Sequence, residues 1–429
     1  MNRLKWNEKK LKDYQNLQVR RVIYNAFENV PFYRRIFQEK GIHPSDIRGI
    51  NDLHKIPIFK KSDLKKLPSQ DLISIKKNLS SLKKITTGGS TGKPFSIYLD
   101  SNEDAWRKAI YLRANIACGQ KAKDKWFTII DVQYSSGRSK LQELFGFYIR
   151  NIVPITLDRD TRLKIIQNQK PDVLDGFPSA LFLLAKDYEQ KGGAPIEPRL
   201  IFGSGELVDK HKISFLQKIF KAPYLDQFGC TEIDRAAWQC VKQGGYHMDV
   251  DSVIMQFVDE EGNEVSAGEE GEIVYTSLFN YSFPILRYNI EDVGVSINEK
   301  CSCGNKLPLM KLMMGRQNSY LVFPGNQIVS PIDFIEVLGA FKLEREIEQY
   351  KVIQEKIDYL RIIIQKTNPN VDERKIRETL TENLKKFSEN PLLREAKFSF
   401  DIDFVEEIPR TSRGKLNVIS SNVPISFAM

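Results

Sequence analysis

The chain has 429 residues, 41% of them hydrophobic and 10% aromatic, so it can bury a substantial core and wholesale disorder is excluded; at roughly 150 residues per domain, two or three units are allowed. The 64 Lys and Arg against 55 Asp and Glu leave a formal charge of +9, but bases and acids are interleaved (KWNEKKLKDY, DERKIRETLTENLKK), without the long basic block of a nucleic-acid binder. No apolar run approaches the roughly 18 residues of a membrane span, MNRLKWNEKKLKDY lacks a secretory apolar core, and five uneven cysteines make no disulfide framework, so a cytoplasmic protein is expected.

In chain order, the first 80 residues read as amphipathic helices broken at VPFY and KIPIF, where Pro31 and Pro57 stand beside aromatic or aliphatic anchors, as in packed turns. Residues 105 to 295 alternate apolar runs (WFTII, DVLDGF, RLIFGSG, APYLDQFG) with helical patterns such as KISFLQKIF, which predicts an α/β architecture with much parallel sheet. After Gly315 the pattern changes. A helix from Asp333, a β-rich pair around YKVIQ and DYLRIIIQ, a helix with Ile376, Leu380, Leu384 and Phe387 on one face, and an alternating strand through Phe398, Phe400, Ile402 and Phe404 predict a compact α+β unit. The expected division is 1–315 and 316–429, with the boundary in Gly315–Ser319. There is no internal repeat.

The sharpest local signal is Thr86-Thr87-Gly88-Gly89-Ser90-Thr91-Gly92-Lys93-Pro94. Three glycines let backbone N–H groups approach an anion closely, and the hydroxyls and Lys93 add donors, as in a phosphate cradle. It is not a Walker loop: Thr87 stands where the first glycine of G-x-x-x-x-G-K-[ST] belongs, and Pro94 takes the hydroxyl position. Alone, the segment would also suit a polar hairpin turn.

Four further motifs follow: Gly203-Ser204-Gly205-Glu206, Gln227-Phe228-Gly229-Cys230-Thr231-Glu232, Arg287-Tyr288-Asn289-Ile290-Glu291-Asp292 and Pro409-Arg410-Thr411-Ser412-Arg413-Gly414-Lys415. With the glycine-rich loop, they resemble in order the signatures of the adenylate-forming superfamily, the acyl-CoA synthetases and related ligases. The stretches NVPFYRRIFQEKGIHPSDIRGINDLHKIPIFKKSDL and PSALFLLAKDYEQKG, with Cys301-Ser302-Cys303-Gly304, resemble the phenylacetate-CoA ligase family, including its branch found with capsule and surface-polysaccharide genes. The resemblance covers nearly the whole chain. It implies a large N-terminal α/β domain binding ATP and carboxylate, a small mobile α+β C-terminal domain, and a two-step reaction. A carboxylate attacks the α-phosphate of ATP, releasing pyrophosphate, and the acyl group then passes from the adenylate to a thiol or amine, releasing AMP.

Two anions meet in that reaction, so the site must supply positive charge and positioning. By resemblance Lys415 carries the charge, Glu232 holds Mg²⁺ with help from the Thr231 hydroxyl, and Thr87 to Lys93 cradle the phosphates. Gly205 and Glu206 lie against adenine, Phe228 and Gly229 form its stacking wall, and Asp292 accepts from the ribose hydroxyls. Glu291 departs from the family's glycine, and Phe228 replaces its usual tyrosine. Gly315-Arg316-Gln317-Asn318 resembles the hinge about which the lid turns, with Arg316 near the nucleotide and Asn318 in place of the usual aspartate. Intact Lys93, Glu232, Asp292 and Lys415 argue against a degenerate binding module.

Cys240, His247, Cys301 and Cys303 would form a structural Cys₃His zinc site tying a loop near the active site, the alternative being buried free thiols; Cys118 is assigned to the core and Cys230 to the nucleotide's neighbourhood. The expected ligands are thus ATP, Mg²⁺, a small carboxylate, CoA and structural Zn²⁺. An amine or hydroxyl of a cell-envelope precursor, or a carrier protein, is the alternative acceptor, and a homodimer is allowed. By resemblance Tyr134-Ser135-Ser136-Gly137 and the Gly203 loop adjoin the acyl pocket, but the sequence favours no particular acid.

Overall fold

A computed structural model describes residues 2–87, 95–130, 140–316, 319–325, 327–389, 397–411 and 414–424. The glycine-rich segment 88–94, the 134–137 segment and Asn318 lie outside them, as do Ser412 and Arg413 of the C-terminal motif.

The N-terminal part begins with α1 (Glu8–Asn29), started by the Asn7 side chain accepting from the Lys10 amide, and α2 (Pro31–Glu39), whose first position is the proline that a helix N-terminus tolerates. Leu11, Val19, Val22, Ile23 and Ala26 recur every three or four residues and are buried. The two proline-marked breaks are anchors. Phe32 and Tyr33 meet Phe59 edge-on at centroid distances of 5.2 and 5.7 Å, and the Tyr33 hydroxyl donates to Pro284 O. That packing lays β1 (Phe59–Lys60) parallel to the Tyr288–Asn289 backbone.

The hairpin β2 (Lys83–Thr86) and β3 (Ser96–Leu99) frames the glycine-rich segment, with Thr86 opposite Ser96. The following α3 (Ser101–Ala117) has a capping box in which Asp100 and Glu103 each accept from the other's backbone N–H. Next comes the expected α/β alternation: β4 (Trp126–Ile130), β5 (Arg150–Pro154), α4 (Arg159–Gln169), β6 (Val173–Gly176), α5 (Pro178–Lys191), β7 (Leu200–Ser204), α6 (Lys210–Phe220) and β8 (Tyr224–Cys230). These strands are parallel in the order β5-β4-β6-β7-β8.

Beyond β8 the pairing reverses. β9 (Asp234–Gln239), β10 (Tyr246–Met248), β11 (Val253–Val258), β12 (Glu270–Ser277), β13 (Tyr288–Ile297) and β14 (Leu309–Arg316) continue the same sheet antiparallel, completing, with β1, a 12-stranded mixed sheet. The parallel character read from the sequence therefore holds for only part of the sheet. The reversal comes from the tight β8–β9 turn, which leaves no room for a crossover helix.

The C-terminal unit has its own core. β15 (Leu321–Phe323) pairs with β16 (Gln327–Val329), and α7 (Pro331–Leu338) leads into β17 (Ile347–Lys356) and β18 (Tyr359–Lys366). With α8 (Glu373–Ser388), β19 (Ser399–Val405) and β20 (Ile419–Ser421), the sheet order is β19-β18-β17-β20. Ile376, Leu380, Leu384 and Phe387 of α8 are buried in a cluster with Val352, Leu360, Ile362 and Ile364. The change of core lies between Arg316, still paired with Asp292 in the large sheet, and Leu321.

At the junction of the two halves of the large sheet, Asp226 on β8 accepts from the hydroxyls of Tyr224 (3.3 Å) and Tyr246 (2.7 Å). Burial lifts its pKa to about 7, against which the two hydroxyls pull only partly. The folded state therefore holds this proton more tightly than the unfolded chain, a stabilisation present below about pH 4 and lost as pH rises through about 7. Asp226→Asn, which keeps the shape without the charge, should gain melting temperature relative to wild type on going from pH 5 to pH 8. A relative melting temperature independent of pH in calorimetry would mean that Asp226 is ionised throughout.

Candidate active site

Three parallel strands end side by side: β6 at Gly176, β7 at Ser204 and β8 at Cys230. The carboxyl edge of a parallel sheet is where chain reversals leave a crevice, and two of the sequence motifs emerge there. Gly205, just past β7, has a φ of 81°, and a Cβ there would stand 2.8 Å from Lys415 Nζ. Glycine thus serves twice, supplying the left-handed turn and the room for the lysine. The same ammonium lies 5.5 Å from the Phe177 ring centroid, so Lys415 of the C-terminal unit sits over the ends of β6 and β7.

Lys415 is positioned by its own loop. Its backbone N–H donates to Thr411 Oγ1 and its carbonyl accepts from the Thr411 N–H, while Arg410 donates to Gly414 O, Ser179 Oγ and Gln349 Oε1. Glu206, expected against adenine, has its carboxylate engaged elsewhere: it accepts from Ser179 N and Oγ at the start of α5 and from Leu416 N, next to the lysine. Glu206 is thus one of the ties between the C-terminal unit and the body, a role that local sequence does not reveal.

On β8, Phe228 is half-buried at the edge of the main core, and Gly229 is required sterically, because a Cβ would come within 1.9 Å of Asp234 O. The Glu232 carboxylate is 1% exposed. Its Oε1 receives the Lys61 ammonium at 2.8 Å and the Tyr288 hydroxyl at 2.8 Å. Burial pushes this carboxyl up, but Lys61 and Tyr288 more than offset it and hold Glu232 below the usual carboxylate range. Sequence reasoning missed Lys61. The signal was the pair of anchors at VPFY and KIPIF, which pin β1 beside Tyr288 and so carry Lys61 to Glu232.

Asp292 is buried and accepts from the Tyr275 hydroxyl at 3.1 Å. Glu291 before it takes a φ of 68°, the backbone state that glycine adopts freely and that this chain holds with a side chain instead. Thr87 closes the base of the glycine-rich loop, its N–H donating to Phe95 O and its Oγ1 accepting from Phe95 N. Residues Gly88, Gly89, Ser90, Thr91, Gly92 and Lys93 lie outside the described residues, so only the loop's anchoring is seen. Arg316 contributes backbone to β14 opposite Asp292.

The sulfur–nitrogen cluster comes together across 53 intervening residues. The ligand atoms of Cys240, His247, Cys301 and Cys303 all lie within 4.8 Å of one another, with Cys240 Sγ 3.5 Å from Cys301 Sγ and Cys303 Sγ 3.3 Å from His247 Nε2. Tetrahedral zinc, with Zn–S near 2.3 Å, sets its ligands roughly 3.5–3.8 Å apart, so the donor set and spacing fit that ion. The Asn305 amide donates to Cys303 Sγ, and Trp238 packs on the His247 ring at 4.9 Å, which fixes both ligands. The expected location needs correcting. Cys240 follows the far end of β9, roughly 20 Å of strand from Asp234, which flanks the site. The cluster ties the loop at 301–303 to the β9–β10 turn, away from the reaction centre. Cys118 is buried, and Cys230 stands apart from the cluster.

Residues 321–422 match the family model of the CapK C-terminal domain. The chain is 26% identical over 327 residues to the phenylacetate-coenzyme A ligase of Thermus thermophilus, covering 74% of this chain and 72% of the relative. It is 23% identical to Protein CapK of Staphylococcus aureus over 93% of this chain and 87% of that one. A solved 2-hydroxyisobutyryl-CoA ligase in its postadenylation state superposes with a TM-score of 0.77 at 18% identity, covering 97% and 91%; the same enzyme in its thioesterification state gives 0.65. The fold is that of the adenylate-forming CoA ligases. More particularly, the chain is a homologue of the phenylacetate-CoA ligases and carries a CapK C-terminal domain.

Lys61→Met would strand the buried Glu232 charge. We expect a loss of about 1–3 kcal/mol in chemical denaturation at pH 7, less than for a fully buried pair because Lys61 is partly exposed. Since Glu232 titrates low in the folded state, its stabilisation is present above the usual carboxylate range, and the deficit should fade as pH falls through and below that range. Equal stability of variant and wild type at pH 7 would count against the pair.

Proposed function

We propose that this protein is an ATP-dependent, AMP-forming carboxylate ligase that activates an organic acid as its adenylate and passes the acyl group to CoA. The observation that carries the reading is Lys415, brought from the second core to lie against Gly205 at the carboxyl edge of the parallel strands. A lysine delivered there by a separate unit can neutralise charge that builds between an attacking carboxylate and a phosphate.

In this reading the loop 88–94 holds the phosphates, Phe228 and Gly229 flank the adenine, and Asp292, steadied by Tyr275, accepts from the ribose hydroxyls. Glu232 supplies a hard oxygen ligand for Mg²⁺, with Thr231 beside it. The ion, bound with the nucleotide, would neutralise phosphate charge. Lys61, already on Glu232 Oε1, shares that carboxylate and keeps it ionised before substrate arrives. Arg316, opposite Asp292 in the large sheet, is followed within a few residues by the second core at Leu321, the place for a hinge. Cys240, His247, Cys301 and Cys303 would hold a structural zinc ion.

A second reading, transfer to an amine or hydroxyl of a cell-envelope precursor or to a carrier protein, has weak support in the likeness to Protein CapK over most of the chain. Among the described residues no helix is long and apolar enough to cross a membrane.

Carboxylate-dependent ATP–pyrophosphate exchange tests the first step, and product release with and without CoA distinguishes the acceptors. Lys415→Ala should lower exchange by at least about 100-fold while ATP still binds and the melting temperature stays within a few degrees. Wild-type exchange in that variant would remove the lysine from the reaction. Protein purified without chelators should hold one zinc per chain, and removing it, or substituting Cys301→Ser, should lower the melting temperature before it slows exchange. Substoichiometric zinc by elemental analysis would leave the cluster as free thiols.

A further inference from the structure

The buried face of α3 is unusual. Arg107, Tyr111 and Asn115 recur every four residues, so one stripe of the helix points inward, and it is polar where a core-facing stripe is normally apolar. Opposite it runs β8. Arg107 Nη2 donates to Thr231 O at 3.0 Å, and Gln227 Nε2 donates to Asn115 Oδ1 at 2.8 Å. Helix and strand therefore lie side by side in opposite directions, with the arginine at the Glu232 end and the amide pair about 12 Å away along the helix axis.

Tyr111 is accounted for: its hydroxyl donates to Asp175, and its ring stacks on Trp126. The other three are accounted for only in part: besides Thr231 O, Arg107 has Asp234 Oδ2 3.7 Å from its Nε. Arg107, Asn115 and Gln227 are 7%, 0% and 3% exposed, and among the described residues Arg107 Nη1, Asn115 Nδ2 and Gln227 Oε1 have no hydrogen-bond partner. Exchanging O and N in both amides does not help, since one donor and one acceptor stay unpaired either way. A buried polar atom without a partner is costly, and three along one seam beginning at the reaction centre call for a ligand that supplies the missing bonds.

We infer that Arg107, Asn115 and Gln227 line the acyl subsite, and that the acid activated here carries a second oxygen-rich group, as in a dicarboxylic or polyhydroxy acid, instead of a plain aryl or alkyl tail. Arg107 offers a charged donor to a carboxylate or hydroxyl oxygen of the acyl group, and the amide pair offers one donor and one acceptor further along. A site built this way discriminates strongly, because an apolar acid would leave its polar groups unpaired. The inference rests on the ligase reading and specifies its substrate class.

The test is ATP–pyrophosphate exchange by the full chain with glutarate and gluconate against hexanoate and phenylacetate, accompanied by acid-induced thermal shifts in the presence of ATP. At least one polar acid should exceed both apolar ones by about 100-fold or more in kcat/KM. Arg107→Met should raise KM for that acid at least about 30-fold without altering KM for ATP, and narrow the preference over hexanoate. Should Arg107→Met fold poorly, Asn115→Leu and Gln227→Met, which leave the Arg107 contacts intact, should narrow the same preference. Exchange driven equally or better by hexanoate or phenylacetate would overturn the polar subsite while leaving adenylation standing, as would variants that lower polar and apolar acids by one common factor. Neither exchange nor a thermal shift with any of the four acids would overturn both.

Discussion

Everything about this site depends on how the C-terminal unit is docked. The lysine that would neutralise charge belongs to a core of its own and reaches the sheet edge only because Glu206 accepts from Ser179 and from Leu416 N at once, with Arg410 bridging from Gly414 O to Ser179 Oγ. A few further polar contacts complete the junction. Lys186 on α5 donates to the carbonyls of Glu344 and Ile347, and Arg159 pairs with both Asp187 and Glu348. Among the described residues, His211 also stacks on Phe341 at 3.5 Å and meets Glu336, and Lys212 lies over the Tyr350 ring, so the ties are largely directional.

Such a junction is suited to being made and broken. An apolar interface of the same extent would hold the units together and expose a sticky face when opened, whereas carboxylates, lysines and arginines rehydrate. The fold superposes on the 2-hydroxyisobutyryl-CoA ligase with a TM-score of 0.77 in that enzyme's postadenylation structure and 0.65 in its thioesterification structure. Burial lowers the pKa of Lys186, so its charge in the junction is held against a desolvation cost.

Much of the protein was legible in the sequence. The strands WFTII, DVLDGF, RLIFGSG and APYLDQFG and the one-faced helix through Ile376, Leu380, Leu384 and Phe387 are local patterns, and each formed as read. The motif residues were legible too, because a glycine demanded by a close approach, such as Gly205 or Gly229, leaves a mark at its own position. The antiparallel half of the sheet was not, since Val253–Val258 and Glu270–Ser277 read alike whichever way the neighbouring strand runs.

By itself the sequence determined the elements, their order and the chemical types available: a lysine after P-R-T-x-x-G, a carboxylate after G-C-T, and four soft ligands at separated positions. Only the tertiary structure decided what those groups meet. It set Lys61 on Glu232, moved the Cys–His cluster to the far end of β9, turned Glu206 into one of the ties for the C-terminal unit and aligned Arg107, Asn115 and Gln227 along one seam. The reason is physical. Periodicity and turn chemistry act over a few residues and are written locally, while a partner 171 residues away is chosen by which faces pack, and packing depends on the whole chain at once.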